Sequence, residues 1–109
     1  MSDITQLHQP TPRARVPDEA REGEEIEIRT LIDHPMITAV AIEGPRDMLA
    51  RFEARLNGAT VFAQSFANGS AANPTATFFL RAAAPGALSL IWTHEDGRVF
   101  TLEHRVRIL

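Results

Sequence analysis

The sequence predicts an all-β domain, an immunoglobulin-like antiparallel β-sandwich of about seven strands. Three observations carry this reading. Apolar and polar residues alternate at period two in several segments, those segments are separated by Gly, Pro and Asn turns, and no helical periodicity of useful length appears. The 109 residues suit one domain, and 44% of them are hydrophobic, as in an ordinary globular core. No cysteine pair is present to make it an antibody-type domain.

Taken in order, residues 1–12 are polar, unpatterned and carry two prolines, which predicts a flexible tail before a domain over 13–109. Order is expected to begin at Arg13–Val16 and to stop at Pro17, and Asp18 to Gly23 reads as a charged turn. Ile26, Ile28, Thr30 and Ile32 then share one face, with Glu25, Glu27 and Arg29 on the other, the mark of a half-buried strand. His34-Pro35 ends it, because proline cannot donate to a ladder. A loop over 37–47 turns at Gly44-Pro45. Met48, Ala50, Phe52, Ala54 and Leu56 form the next apolar face, and Asn57-Gly58 is a hairpin signal leading to a return strand over Thr60–Phe66. Asn68-Gly69-Ser70 and Asn73-Pro74 punctuate the middle before a strand over Thr75–Arg81. Leu88, Leu90 and Trp92 mark a core-facing strand, and Asp96-Gly97 turns the chain into the last strand, Arg98–Ile108.

Composition excludes several chemistries. Without cysteine there is no thiol nucleophile, thiolate metal site or redox relay in these residues. All eleven Lys+Arg residues are arginine, which removes Schiff-base and lysine general-base catalysis. A net charge of −3 with no basic stripe argues against nucleic acid as a partner. No run is long enough for a membrane span, and MSDITQLHQPTP has neither the basic nor the apolar region of a signal peptide.

Four histidines, His8, His34, His94 and His104, are the candidates for metal ligation. None forms a close ligand pair in sequence, so no metal or cofactor site is expected. His94-Glu95-Asp96 reads as a solvated hairpin tip. His104 shares a face with Phe100, Leu102, Val106 and Ile108, and a partly covered ring hydrogen-bonded to a backbone carbonyl is expected. The acidic cluster Asp18, Glu19, Glu22, Glu24 and Glu25 reads as a solvated face, and no catalytic constellation of acid, base and nucleophile is suggested. Asn68-Gly69-Ser70 also matches a glycosylation sequon, a short motif with a high false-positive rate. The residues therefore describe a non-enzymatic interaction domain, whose edge strands are natural places to add another chain's strand.

The strings RARVPDEAREGEEIEIRTLIDHPM (13–36), LNGATVFAQSF (56–66), SAANPTATFF (70–79) and GALSLIWTHEDGRVF (86–100) resemble, in order and spacing, the SoxZ family of the Sox sulfur-carrier complex. The resemblance departs at MITAVAIEGPRDM (36–48), which is short and poor in basic residues. It implies a non-catalytic scaffold that pairs with a SoxY-type chain, also immunoglobulin-like. A cysteine on that chain's C-terminal arm carries covalent sulfur intermediates of thiosulfate oxidation, and other Sox enzymes dock transiently. It further implies a periplasmic location, reached by co-export with the signal-bearing partner. Partner contacts are expected at His34, Pro35 and Met36 and at Asn73 and Pro74, where proline-stiffened loops lose less entropy on binding. A stand-alone immunoglobulin-like binding module, and a small metalloprotein using His34, His94 and His104, are the alternatives.

Overall fold

The computed structural model describes residues 10–37, 47–67 and 70–109. The expected turn at Gly44-Pro45, most of the N-terminal tail and Asn68-Gly69 of the sequon lie outside these residues. The described chain is all strand: β1 (Pro12–Arg15), β2 (Glu19–Ala20), β3 (Glu25–Ile32), β4 (Leu49–Leu56), β5 (Ala59–Ser65), β6 (Thr75–Arg81), β7 (Gly86–His94) and β8 (Val99–Ile108). One sheet has the order β1-β3-β6, the other β2-β8-β7-β4-β5. They form an open immunoglobulin-like sandwich, as the period-two pattern predicts.

The strands form where alternation is cleanest. In β3, Ile26, Ile28, Thr30 and Ile32 are buried and the intervening residues are not. The same alternation in β7 buries Leu88, Leu90 and Trp92. Both sets face the core, where the Phe52 and Trp92 rings lie 4.9 Å apart. Phe52 also reaches Phe78 of the opposite sheet at 6.3 Å, and Phe78 stacks on Phe62 at 4.7 Å. Fully burying a side chain of this size is worth about 1.5–3 kcal/mol, so these rings are a main part of what joins the sheets.

Turn chemistry sets the register. Asn57 and Gly58 both have positive φ (52° and 88°), as a type I′ hairpin between β4 and β5 requires. The expected strands are thus recovered, with two differences. Asp18–Gly23 contains a further strand, β2, whose two residues pair in parallel with β8, so there are eight among the described residues. The β4–β7 register shifts between Leu49 and Arg51, and this turns Leu49 inward beside Met48, leaving Ala50 only half-buried.

Candidate functional site

Three segments meet at one end of the sandwich. His34 leaves β3 two residues after its last member and is buried. Asp47 precedes β4 and is fixed by a two-way backbone bridge: the Ile37 N–H donates to the Asp47 carbonyl at 2.7 Å, and the Asp47 N–H donates back at 2.8 Å. His94 ends β7 and is also buried, so it is a core ring and not part of a solvated hairpin tip. Glu95 and Asp96 beside it are exposed.

Both imidazoles point at the same carboxylate oxygen. Asp47 Oδ1 lies 3.1 Å from His34 Nε2 and 2.6 Å from His94 Nε2, and the two rings meet edge to face with centroids 5.3 Å apart. The opposite ring nitrogens have their own partners. The Met36 N–H donates to His34 Nδ1 at 3.1 Å, and the Asp96 N–H donates to His94 Nδ1 at 3.0 Å. A nitrogen that accepts a backbone N–H carries no proton, so in the neutral His34 ring the proton is on Nε2 and is donated to Asp47. His94 differs in one respect: Asp96 Oδ1 also stands 3.0 Å from its Nδ1, so an imidazolium there would have a carboxylate on each side. Arg98 completes the group. Its Nε donates to Asp96 Oδ2 at 2.8 Å, and its Nη2 lies 3.8 Å from Asp47 Oδ1.

Titration follows from this geometry. Burial pushes the His34 imidazole below the ordinary histidine value, and the attraction of Asp47 does not restore it. For Asp47, burial alone would raise the carboxyl. The hydrogen bond from His94 and the adjoining His34 and His94 rings outweigh that and leave it below the usual carboxylate range.

Among the described residues, His34, Asp47 and His94 are the group of three whose donor atoms converge, all within 4.8 Å. Two imidazoles and a carboxylate are the right kinds of ligand for zinc or iron. The hydrogen bonding of His34 does not suit a metal ion. A metal-bound histidine uses an Nε2 lone pair and donates its other N–H to an acceptor. Here the His34 Nδ1 faces the Met36 backbone donor, whereas the His94 Nδ1 faces both the Asp96 amide and, at 3.0 Å, the Asp96 carboxylate. The separations of 2.6 and 3.1 Å are hydrogen-bond lengths. The cluster is a clamp of two histidines on one carboxylate. His104 takes no part in it: its Nε2 lies 2.9 Å from Asp18 Oδ1 at the surface, in place of the expected backbone carbonyl. A three-histidine ligand set of His34, His94 and His104 therefore does not assemble.

The two proline loops singled out in the sequence lie side by side. The His34 N–H donates to Asn73 Oδ1 at 2.9 Å, and the Asn73 N–H donates to the His34 carbonyl at 2.7 Å. Pro35 and Asn73 are exposed and, with Asp33 and Ala72, border an open hollow of about 300 Å³. Pro74 is half-buried, while His34 and Met36 are buried, so these two support the patch from beneath. Asp47 was not singled out in the sequence. Its role depends on two residues 13 and 47 positions away, and no local spacing signals it.

The fold and the site together define an immunoglobulin-like sandwich whose buried polar cluster binds its own loops to one another. The chain belongs to the SoxZ family, sulphur oxidation protein SoxZ, which matches residues 14–105, and it is a subunit of the Sox sulfur-oxidation system. No curated protein matches it in sequence. Among solved structures it is similar to a superoxide reductase (neelaredoxin) from Ignicoccus hospitalis, at 18% identity over 91% of this chain and 80% of that one, with a TM-score of 0.75. It is similar to a putative superoxide reductase from Thermotoga maritima, at 14% identity over 90% and 85% of the two chains, with a TM-score of 0.71. It is also similar to the sulfur carrier protein SoxY from Chlorobium limicola f thiosulfatophilum, at 10% identity over 90% and 78% of the chains, with a TM-score of 0.65. At these identities the likeness establishes the shared fold.

Proposed function

We propose that this chain is the non-catalytic scaffold subunit of a periplasmic sulfur-compound carrier. It would pair with a SoxY-type chain whose C-terminal cysteine arm carries covalent sulfur intermediates during thiosulfate oxidation. The observation that carries the reading is SoxZ family membership over 14–105 in a sequence of 109 residues without cysteine. Sulfur carried as a persulfide or thiosulfonate needs a thiolate, and these residues supply none, which supports a carrying group on a partner. Both ring nitrogens of each converging histidine are engaged with Asp47 or with a neighbouring backbone amide, which supports a structural role for the pair. Among the described residues no helix is long and apolar enough to cross a membrane. Co-export with a signal-bearing partner accounts for a periplasmic site of action.

The patch of Pro35, Asn73 and Pro74, held from below by His34 and Met36, is assigned to contact with the partner or with the Sox enzymes that visit it. Its backbone is fixed before binding, which lowers the entropy lost on contact. The reading is tested by purifying the chain from its host and measuring the masses of what accompanies it. A SoxY-type chain bearing sulfur adducts on its cysteine is the expected companion. Thiosulfate turnover by this chain alone, or the absence of any thiol-bearing companion, would overturn the reading.

A further inference from the structure

The two flanks of the sandwich are built differently. On one flank, β1 and β2 close the sheets. β1 carries Pro12, Arg13 and Arg15, and β2 is two residues long with Glu19 paired to Arg107 at 3.1 Å. Proline, charge and shortness are the devices that stop an edge strand from adding a stranger. On the other flank the outer strands are β5 and β6, brought together by the Phe62–Phe78 stack. β5 has no charged residue and no proline, and β6 has one charge, Arg81, turned back to the Gly23 carbonyl at 2.6 Å. All of β5 except Phe62 is exposed. Between the two edges Leu56, Phe62, Phe66 and Leu80 are only partly covered, though all pack on the core.

The free backbone groups of β5 can be placed. The Phe66 N–H donates to the Ala50 carbonyl of β4 at 2.9 Å, so by alternation the Gln64 N–H also faces β4. The N–H groups of Ala63 and Ser65 then point away from the sheet. A register shift skips Val61, which confines the regular edge to Phe62 onward.

We infer that this flank is where another polypeptide adds an extended strand to β5 and covers the aromatic seam between β5 and β6. The occupant is an edge strand of the SoxY-type partner. This identity rests on the reading above and on the shared sandwich fold of SoxY, which lets two such domains meet edge to edge with one continuous sheet. The flank also continues into the Asn73–Pro74 patch, which leads directly into β6, so one partner can cover both.

The test uses the full chain and its SoxY-type partner. In the complex, the Ala63 and Ser65 amides of the wild-type chain should exchange with solvent at least about tenfold more slowly than in the free chain. Ala63→Pro removes an outward N–H without touching the β4 ladder. It should weaken pairing at least about tenfold while the free domain still melts cooperatively. Ser65→Lys, which leaves the backbone intact, should weaken pairing by placing an unmatched charge on the edge. A pair that forms normally with no protection of these amides would overturn the edge assignment and leave the carrier reading standing. Protection that appears in the chain alone, through self-association, would overturn the partner as occupant. A chain that pairs with no SoxY-type protein would overturn the carrier reading and this inference together.

Discussion

Asp47→Ala is the perturbation that most directly tests the clamp. Among the described residues, Asp47 Oδ1 is the partner of two buried Nε2 atoms, those of His34 at 3.1 Å and His94 at 2.6 Å. Neither imidazole can turn to find another partner without giving up its Nδ1 bond to the Met36 or Asp96 amide. A buried donor left without an acceptor costs about 1–3 kcal/mol, so the pair should cost about 2–6 kcal/mol. The total stability of a small domain is only about 5–15 kcal/mol. Asp47→Asn keeps an accepting oxygen and loses the charge, so its cost should fall between wild type and Asp47→Ala. Urea unfolding followed by fluorescence of Trp92, the single tryptophan, reads both. An Asp47→Ala variant within about 0.5 kcal/mol of wild type would refute the clamp, because surface substitutions fall in that range.

Acid should also loosen the domain. The folded-state values of His34 and Asp47 both lie below those of the unfolded chain, so the unfolded state binds more protons and stability rises with pH. The His34 contribution is complete above about pH 6.5 and is lost as pH falls below it, and the Asp47 contribution is lost below about pH 4. Urea midpoints should therefore be lower at pH 5 than at pH 7.5, with a smaller drop in His34→Gln; equal midpoints would contradict the assignment. Zinc added to the purified chain should raise the melting temperature no more in wild type than in His94→Ala, whereas saturable one-to-one binding lost in that variant would show that Nε2 lone pairs are available. In Gly86→Ala the new Cβ would lie 2.7 Å from both side-chain polar atoms of Asn57 and 2.9 Å from Leu56 Cδ1. The Ala87 N–H donates to Asn57 Oδ1 at 3.0 Å, so the β4–β5 turn would lose this clasp at a cost of about 1–3 kcal/mol, read by thermal melting.

The sheets were legible in the sequence because alternation is a local property. Ile26 to Ile32 states which face of β3 is buried, and Asn57-Gly58 states where β4 reverses. The slip at Leu49–Arg51 was not legible, since both Met48 and Leu49 turn inward and only the pairing with β7 reveals it. β2 was hidden for a similar reason: two residues have no period, and Glu19–Ala20 become a strand only by meeting Arg107 and Ile108. His94 was misplaced because a hairpin tip of His, Glu and Asp looks polar throughout, while the buried acceptor that draws the imidazole inward is 47 residues away. The pairing of the His34 and Asn73 loops likewise depends on the β3–β6 register, which brings Leu31 opposite Thr75.

The clamp and the open flank bear on each other through Met36 and Asn73. Both residues have left-handed backbone, with φ of 55° and 52°, a conformation that costs a non-glycine residue about 1–2 kcal/mol. The structure holds them there with local bonds: the Met36 amide is fixed by His34 Nδ1, and Asn73 is fixed by two hydrogen bonds with His34. His34 is in turn fixed by Asp47. The loops at the start of β6 are thus held in one shape by a ring with no remaining rotational choice. If the chain is the proposed scaffold of a carrier, a rigid surface is what it would contribute, because every loop ordered in advance is entropy that association does not have to remove. Loosening the clamp should therefore weaken partner binding even where the substituted side chain is buried and touches no partner atom. His34→Gln, which retains a hydrogen-bonding side chain, should pair less tightly than wild type at temperatures where both are fully folded, as measured by titration calorimetry. Equal affinities would separate the clamp from the interface and confine its role to stability.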